Sequence, residues 1–328
     1  HLPCTFGLIV ALLLLASTLV GLRTPYFAVG NHCNVYILHI FPWFSLAFNI
    51  NNFLSKHNAK NIYIESDTMT VSEFNNLTEK LDNIMIYSDS TLSDIINQIR
   101  SIKSDLEIKK IIYAQRIAEN ALSFALENFH DGMTEKQLAY TLNNHMLQNG
   151  ADDISFETIA LSGKNTSLPH GVPTDKIIKK GEFILMDFGA VFDGYHSDMT
   201  RTICYGMPTD KMREVYNIVL TAQRLALDEF KSGVSCKKID AISRNYIHKM
   251  GYGDFFGHGL GHSLGMEIHE NPACNTRDET ILQHGIIMTC EPGIYLPDEF
   301  GVRIEDMIVI NDNSYENLTL TQKELLII

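Results

Sequence analysis

Five potential metal ligands lie in order along the second half of the chain: Asp187, Asp198, His262, Glu291 and Glu305. Any fold this sequence adopts must account for them, because three end apolar stretches where an unpaired charge is costly. Asp187 follows Phe183-Ile184-Leu185-Met186, Glu291 follows Ile286-Ile287-Met288-Thr289-Cys290, and Glu305 lies in Val302-Arg303-Ile304-Glu305. A lone acid at a strand end is ordinarily a solvated cap. Three such acids are better explained by cations than by three separate salt bridges. Four carboxylates and one imidazole can hold two divalent cations a few ångströms apart, with at least one carboxylate bridging. That donor set favours harder ions, Mn²⁺ above all, with Co²⁺ or Zn²⁺ as alternatives. Water caught between two such cations is a hydroxide near neutral pH. The constellation therefore predicts a hydrolase.

The surrounding sequence reads as alternating elements. Asn61 to Glu65 and Asn83 to Tyr87 are strand candidates, with a helix opened between them by the capping box Thr70 to Glu73. This strand–helix–strand order predicts a small α/β domain over 1–104. Ser104-Asp105-Leu106-Glu107 opens a helix whose apolar residues recur at helical spacing to Phe129, and Thr134-Glu135-Lys136-Gln137 opens another. Strands follow: Gly181 to Asp187, a turn at Gly194, then Asp198 to Cys204. A hairpin of that length can carry Asp187 and Asp198 to one side of one sheet. Met212 to Lys231 and Cys236 to Met250 read as helices, and Ile287 to Glu291 and Gly301 to Ile310 as the closing strands. The fold class is thus α/β (α+β), with a second domain over 105–328.

A net charge of −13 argues against a nucleic-acid partner. The six cysteines form no CxxC pair and suggest neither a zinc ribbon nor a disulfide framework, so reduced thiols in a cytoplasmic protein are expected. Cys290, beside Glu291, reads as a small apolar neighbour and not as a sixth ligand. The N-terminal stretch is unusual. Residues 1–64 contain no Asp or Glu, and Phe6 to Leu22 is a nearly unbroken apolar run. A soluble domain with a buried strand at Ile9 to Leu15 is the favoured reading. A membrane anchor or a secretory signal is the alternative, although no basic segment precedes the run.

Three histidines crowd the Gly-rich stretch Gly257-His258-Gly259-Leu260-Gly261-His262 and its continuation Gly265-Met266-Glu267-Ile268-His269-Glu270. Backbone can approach a ligand closely there. His269 follows His262 at about two helical turns or at an odd strand interval, and it could donate to a carbonyl oxygen as charge develops. Together with Tyr195-His196-Ser197-Asp198-Met199-Thr200-Arg201-Thr202 and Leu168-Pro169-His170-Gly171-Val172-Pro173, these motifs resemble the M24 metallopeptidases of the pita-bread fold over residues 105–328. The α/β domain in front resembles the aminopeptidase P and prolidase branch.

The resemblance implies a small creatinase-like α/β domain over 1–104, of which 1–60 is atypical. After it comes a curved antiparallel sheet covered by helices, with an internal pseudo-two-fold. It implies that Asp187 holds one metal, that Asp198 and Glu305 bridge, and that His262 and Glu291 hold the other. Glu291 would also shuttle the proton, His170 and His269 would contact substrate and tetrahedral intermediate, His258 would line the pocket, and Arg303 would orient carboxylates. It further implies a homodimer, which light scattering tests, and proline-containing peptides as substrates. A methionine aminopeptidase is disfavoured by the long N-terminal region. A metal-free creatinase-like enzyme or a non-enzymatic binding module on the same fold predicts lost ligands, and none is lost.

Overall fold

The computed structural model describes residues 26–31, 34–39, 54, 56, 60–81 and 84–328. The apolar run at 6–22, Cys4, Cys33 and Asn83 lie outside the described residues. By its contacts the chain divides into two compact units, residues 1–99 and 100–328.

In the first unit, β1 (Tyr26–Asn31), β2 (Asn34–His39), β3 (Asn61–Ile64) and β4 (Met85–Tyr87) form a sheet in the order β2-β1-β3-β4. β3 and β4 are parallel, so the chain must cross over between them, and α1 (Val71–Lys80) makes that crossing. Thr70 and Glu73 cap α1 reciprocally, as their spacing predicts. Leu77 packs with Ile62, Ile64 and Leu81. Helix α2 (Thr91–Ser101) leads into the second unit.

The second unit runs twice through the same order, two helices and then strands. The first pass has α3 (Asp105–Glu127) and α4 (Glu135–Gln148), each started by a capping box, Ser104 with Glu107 and Thr134 with Gln137. Alanines at 114, 118, 121 and 125 let α3 lie close to its neighbours. The strands that follow are β5 (Asp153–Ile154), β6 (Ile159–Ser162), β7 (Glu182–Phe188), β8 (Ala190–Phe192), β9 (Tyr195–His196) and β10 (Met199–Tyr205). The second pass has α5 (Asp210–Leu227) and α6 (Cys236–Lys249). After them come β11 (Gly261–Ser263), β12 (Glu270–Cys274), β13 (Ile287–Cys290), β14 (Gly293–Leu296), β15 (Phe300–Arg303), β16 (Asp306–Ile310) and β17 (Tyr315–Asn317). The helix pairs pack into separate cores, α3 and α4 against β7 and β10, α5 and α6 against β13 and β15.

One strand differs from its sequence reading. Gly301 to Ile310 is not continuous: β15 pairs with β14, while β16 pairs with β13 and β17. The break falls at Ile304 and Glu305. There the Glu305 N–H turns to Thr200 O at 3.1 Å, and Glu305 O accepts from Arg201. The chain changes sheets at this point, and Glu305 sits at the joint.

Cys204, Cys236, Cys274 and Cys290 are buried free thiols. Among the described residues no helix is long and apolar enough to cross a membrane.

Candidate metal centre

The strand registers bring the five proposed ligands together. Thr200 lies opposite Asp187 in the β7–β10 pair. Asp198 stands just before β10, two residues ahead of Thr200, near enough for the Asp187 charge to act on it. Between the two acids, β8 and β9 form a hairpin closed by Asp193 and Gly194, both at positive φ. Gly189 lets this hairpin cross the chain: a Cβ there would stand 1.9 Å from Ser197 O. In the β13–β16 pair Cys290 lies opposite Asp306, so Glu291 and Glu305, one step further, leave the sheet side by side. β11 pairs with β13 through Ser263 and Met288, which brings in His262.

The resulting group is tight. One ligand atom from each of Asp198, His262 and Glu305 lies within 4.8 Å of the other two. His262 Nε2 is 3.6 Å from Asp198 Oδ2 and 3.4 Å from Glu291 Oε1. These separations are long for hydrogen bonds but near the roughly 3 Å between atoms sharing a cation. His262 Nδ1 lies 3.1 Å from Ser263 O, which places the ring proton on Nδ1 and leaves the Nε2 lone pair facing the carboxylates. Thr289 Oγ1 accepts from His262 N–H at 3.0 Å and donates to Glu291 Oε1 at 3.0 Å. Thr200 Oγ1 donates to Glu305 Oε2 at 2.7 Å.

Among the described residues, Arg303 is the one guanidinium or ammonium set against these four acids by an ion pair. Its Nη2 pairs with Asp187 Oδ2, its Nε donates to Thr200 Oγ1 at 3.1 Å, and its Nη1 donates to Tyr295 OH at 2.8 Å and Pro169 O at 3.2 Å. Tyr295 OH in turn lies 2.8 Å from His258 Nε2, whose Nδ1 is 2.8 Å from Gly259 O. Both His258 nitrogens are thus engaged. Burial, then the neighbouring Arg303, lower its pKa to about 4, so the ring is neutral and accepts from Tyr295.

Two buried carboxylate oxygens of this group, Asp187 Oδ1 and Asp198 Oδ1, make no hydrogen bond among the described residues. A carboxylate oxygen left without a donor in the interior is costly, and a cation bound among these acids would offset that cost. The carboxyl pKa values agree. Burial first, then Glu305 and Asp187, push Asp198 well above the carboxylate range. Burial and then Glu291 do the same to Glu305, and burial with the Asp187 charge pushes Glu291 up to about 7. The residues fit divalent ions: among the described residues, four carboxylates crowd together with one ion-paired guanidinium and no cysteine lining the cavity.

The sign of this crowding sets a prediction for the metal-free protein. The three raised carboxyls bind more protons folded than unfolded, so stability falls as pH rises through their folded values. His258, His262 and His269 are lowered, chiefly by burial, and act oppositely below their ordinary value of 6.5. Above about 6.5 only the carboxyls contribute. Chelator-treated protein should therefore lose thermal stability between roughly pH 6.5 and 8, by up to about 1.4 kcal/mol per pH unit for each proton released. The melting-temperature gain on adding Mn²⁺ should widen across the same range. A gain independent of pH would show that the crowded acids are not the ion's ligands.

All five proposed ligands line one cavity of about 840 Å³, together with His170, His258, His269 and Arg303. His269 comes just before β12 in the turn that joins β11 to it, and its ring meets that of His262 edge-on at 4.4 Å. The interval from His262 to His269 is therefore neither two helical turns nor a strand interval; an antiparallel hairpin with a bulge after His262 places both rings at the site. His170 is exposed on the loop after β6.

The sequence model of metallopeptidase family M24 matches residues 109–312. The chain belongs to metallopeptidase family M24. It is 45% identical over 235 residues to a Pyrococcus horikoshii protein named Xaa-Pro dipeptidase, covering 72% of this chain and 67% of that one. The structure of a Bacillus anthracis Xaa-Pro dipeptidase matches with a TM-score of 0.83 at 38% identity, covering 87% of this chain and 79% of that one. That of a Thermotoga maritima X-Pro aminopeptidase matches with a TM-score of 0.82 at 34% identity, covering 89% and 82%. The open curved sheets and their helices are the pita-bread fold of these M24 structures.

Three polar residues of this M24 site were not singled out from the sequence. Thr200 and Thr289, each on a strand, stand two residues from a proposed ligand, and that period-two spacing is a readable signal. Tyr295 carries none. Its place follows from the β14–β15 pairing, which sets Gly293 opposite Arg303.

Proposed function

We propose that this chain is a divalent-metal-dependent peptidase that cleaves the bond before proline, with Xaa-Pro dipeptides as preferred substrates. The observation that carries the reading is the pair of buried carboxylate oxygens without donors, Asp187 Oδ1 and Asp198 Oδ1, within a set of four acids and one oriented imidazole. The dipeptide preference draws on the likeness to the P. horikoshii Xaa-Pro dipeptidase. When bound, two divalent ions, Mn²⁺ by the hardness of the donors, supply an activated water and polarise the scissile carbonyl.

Asp187 and Asp198 on one side, and His262, Glu291 and Glu305 on the other, are the residues that would hold them, with Asp198 and Glu305 bridging. Glu291 takes a proton from the attacking water. It then delivers that proton to the proline nitrogen, a tertiary amide nitrogen that carries no N–H of its own and must be protonated to leave. Arg303 holds Asp187 in place and is itself oriented by Tyr295 and Thr200. Neutral His269, with no hydrogen bond among the described residues, donates to the carbonyl oxygen as it gains charge. His170 contacts the substrate from the opposite loop, and His258 contributes its ring face to the pocket wall.

The test is hydrolysis of Gly-Pro, Gly-Pro-Gly and Gly-Ala by chelator-treated protein before and after Mn²⁺ is restored. Metal-dependent cleavage of Gly-Pro in preference to the other two is expected. Faster cleavage of Gly-Pro-Gly would make the enzyme an aminopeptidase, and equal cleavage of Gly-Ala would remove the proline preference.

A further inference from the structure

Glu135 is fully buried, yet it makes no ion pair among the described residues and does not line the metal cavity. It begins α4, and its side chain gathers hydrogen bonds from both ends of one loop. From the start of the loop, Oε1 accepts from Ser162 N–H at 2.7 Å, Ser162 Oγ at 3.0 Å and Asn165 Nδ2 at 3.0 Å. Oε2 accepts from Asn165 Nδ2 at 3.1 Å and, from the end of the loop, Thr174 N–H at 3.1 Å and Thr174 Oγ1 at 2.7 Å. Every partner is a donor, which suits the two acceptor-only oxygens of a carboxylate. The first amides of α4 add to the closure, Glu135 N–H to Lys176 O and Lys136 N–H to Thr174 O, both at 3.1 Å.

The loop so closed carries His170. Its middle is held separately, by Arg303 on Pro169 O and by Gly301 N–H on Thr166 Oγ1 at 2.7 Å. After His170 the chain folds tightly onto β6: a Cβ on Gly171 would stand 2.6 Å from Leu161 Cδ1. His170 itself is exposed and has no hydrogen bond among the described residues, so its position is set only by the loop that bears it.

We infer that Glu135 is a positioning residue, a buried carboxylate clasp that holds the His170 loop at the height of the metal centre. The inference rests on the reading of His170 as a substrate contact. Two measurements on the metal-loaded protein test it, with Glu135→Gln and the milder Thr174→Val at the exposed end of the clasp. Gln keeps the shape but turns one acceptor into a donor, which meets the donors of Thr174 or Ser162.

Amide hydrogen exchange of residues 163–174 should quicken by about tenfold in either variant, the loss of one net hydrogen bond, while metal content stays at the wild-type level. Turnover of Gly-Pro should fall similarly. In a His170→Ala background, adding either change should alter turnover by no more than about twofold, because residues acting through one group are not additive. Unchanged exchange in a folded Thr174→Val variant overturns the clasp, whatever the enzyme cleaves. Full additivity with His170→Ala overturns its action through that histidine. If Gly-Pro is not cleaved by the wild-type protein, the functional reading fails, and exchange alone still decides the clasp.

Discussion

Asp198→Ala should reduce Xaa-Pro hydrolysis to background and lower the metal content of the purified protein. Asp198 offers one buried oxygen that has no donor and a second that faces His262 Nε2. It stands near both Asp187 and Glu305, the position from which a carboxylate can serve both ions. Without it two cations would face each other with one fewer negative charge between them, and their repulsion would expel at least one. The same change should not harm the metal-free fold. Burial and the surrounding acids already work against a charge at Asp198, so chelator-treated Asp198→Ala should melt no lower than chelator-treated wild type at pH 8. Element analysis, turnover and the two melting curves separate loss of metal from loss of structure. Full activity in this variant would exclude the site as drawn.

Local features of this fold were legible where the physics is local. The capping boxes at Thr70, Ser104 and Thr134 depend on residues three apart, and each helix begins where its box stands. The acids after apolar runs were legible for a similar reason, since each is conspicuous among its own neighbours. What escaped depends on pairing between distant segments. Gly301 to Ile310 has the composition of one strand, but β15 and β16 take different partners, and the Glu305 N–H turns to Thr200 O at the switch. Tyr295 joins the site because β14 folds back on β15. Glu135 stands in the first turn of α4, and its partners at Ser162, Asn165 and Thr174 lie far along the chain.

Histidines 262 and 269, read from the sequence as ligand and donor, stand in different surroundings. His262 has its Nδ1 proton committed to Ser263 O and its Nε2 turned to three carboxylates, the arrangement of a ligand. His269 meets His262 through its ring edge at the cavity wall, and partial burial, then His262 and His170, lower its pKa. It is therefore neutral at working pH, with an N–H available to a substrate oxygen. Losing one such donor costs about 10²–10³-fold in turnover. His269→Ala should accordingly keep its full metal content and lose about that much in kcat, with a smaller change in KM. His262→Ala should lose metal, and its residual activity should rise when Mn²⁺ is added in excess, which would not help His269→Ala. Element analysis beside steady-state kinetics on both proteins reads the difference. If His269→Ala lost the metal while His262→Ala retained it, the two roles would be exchanged, and the orientation of His262 by Ser263 would carry no meaning for catalysis.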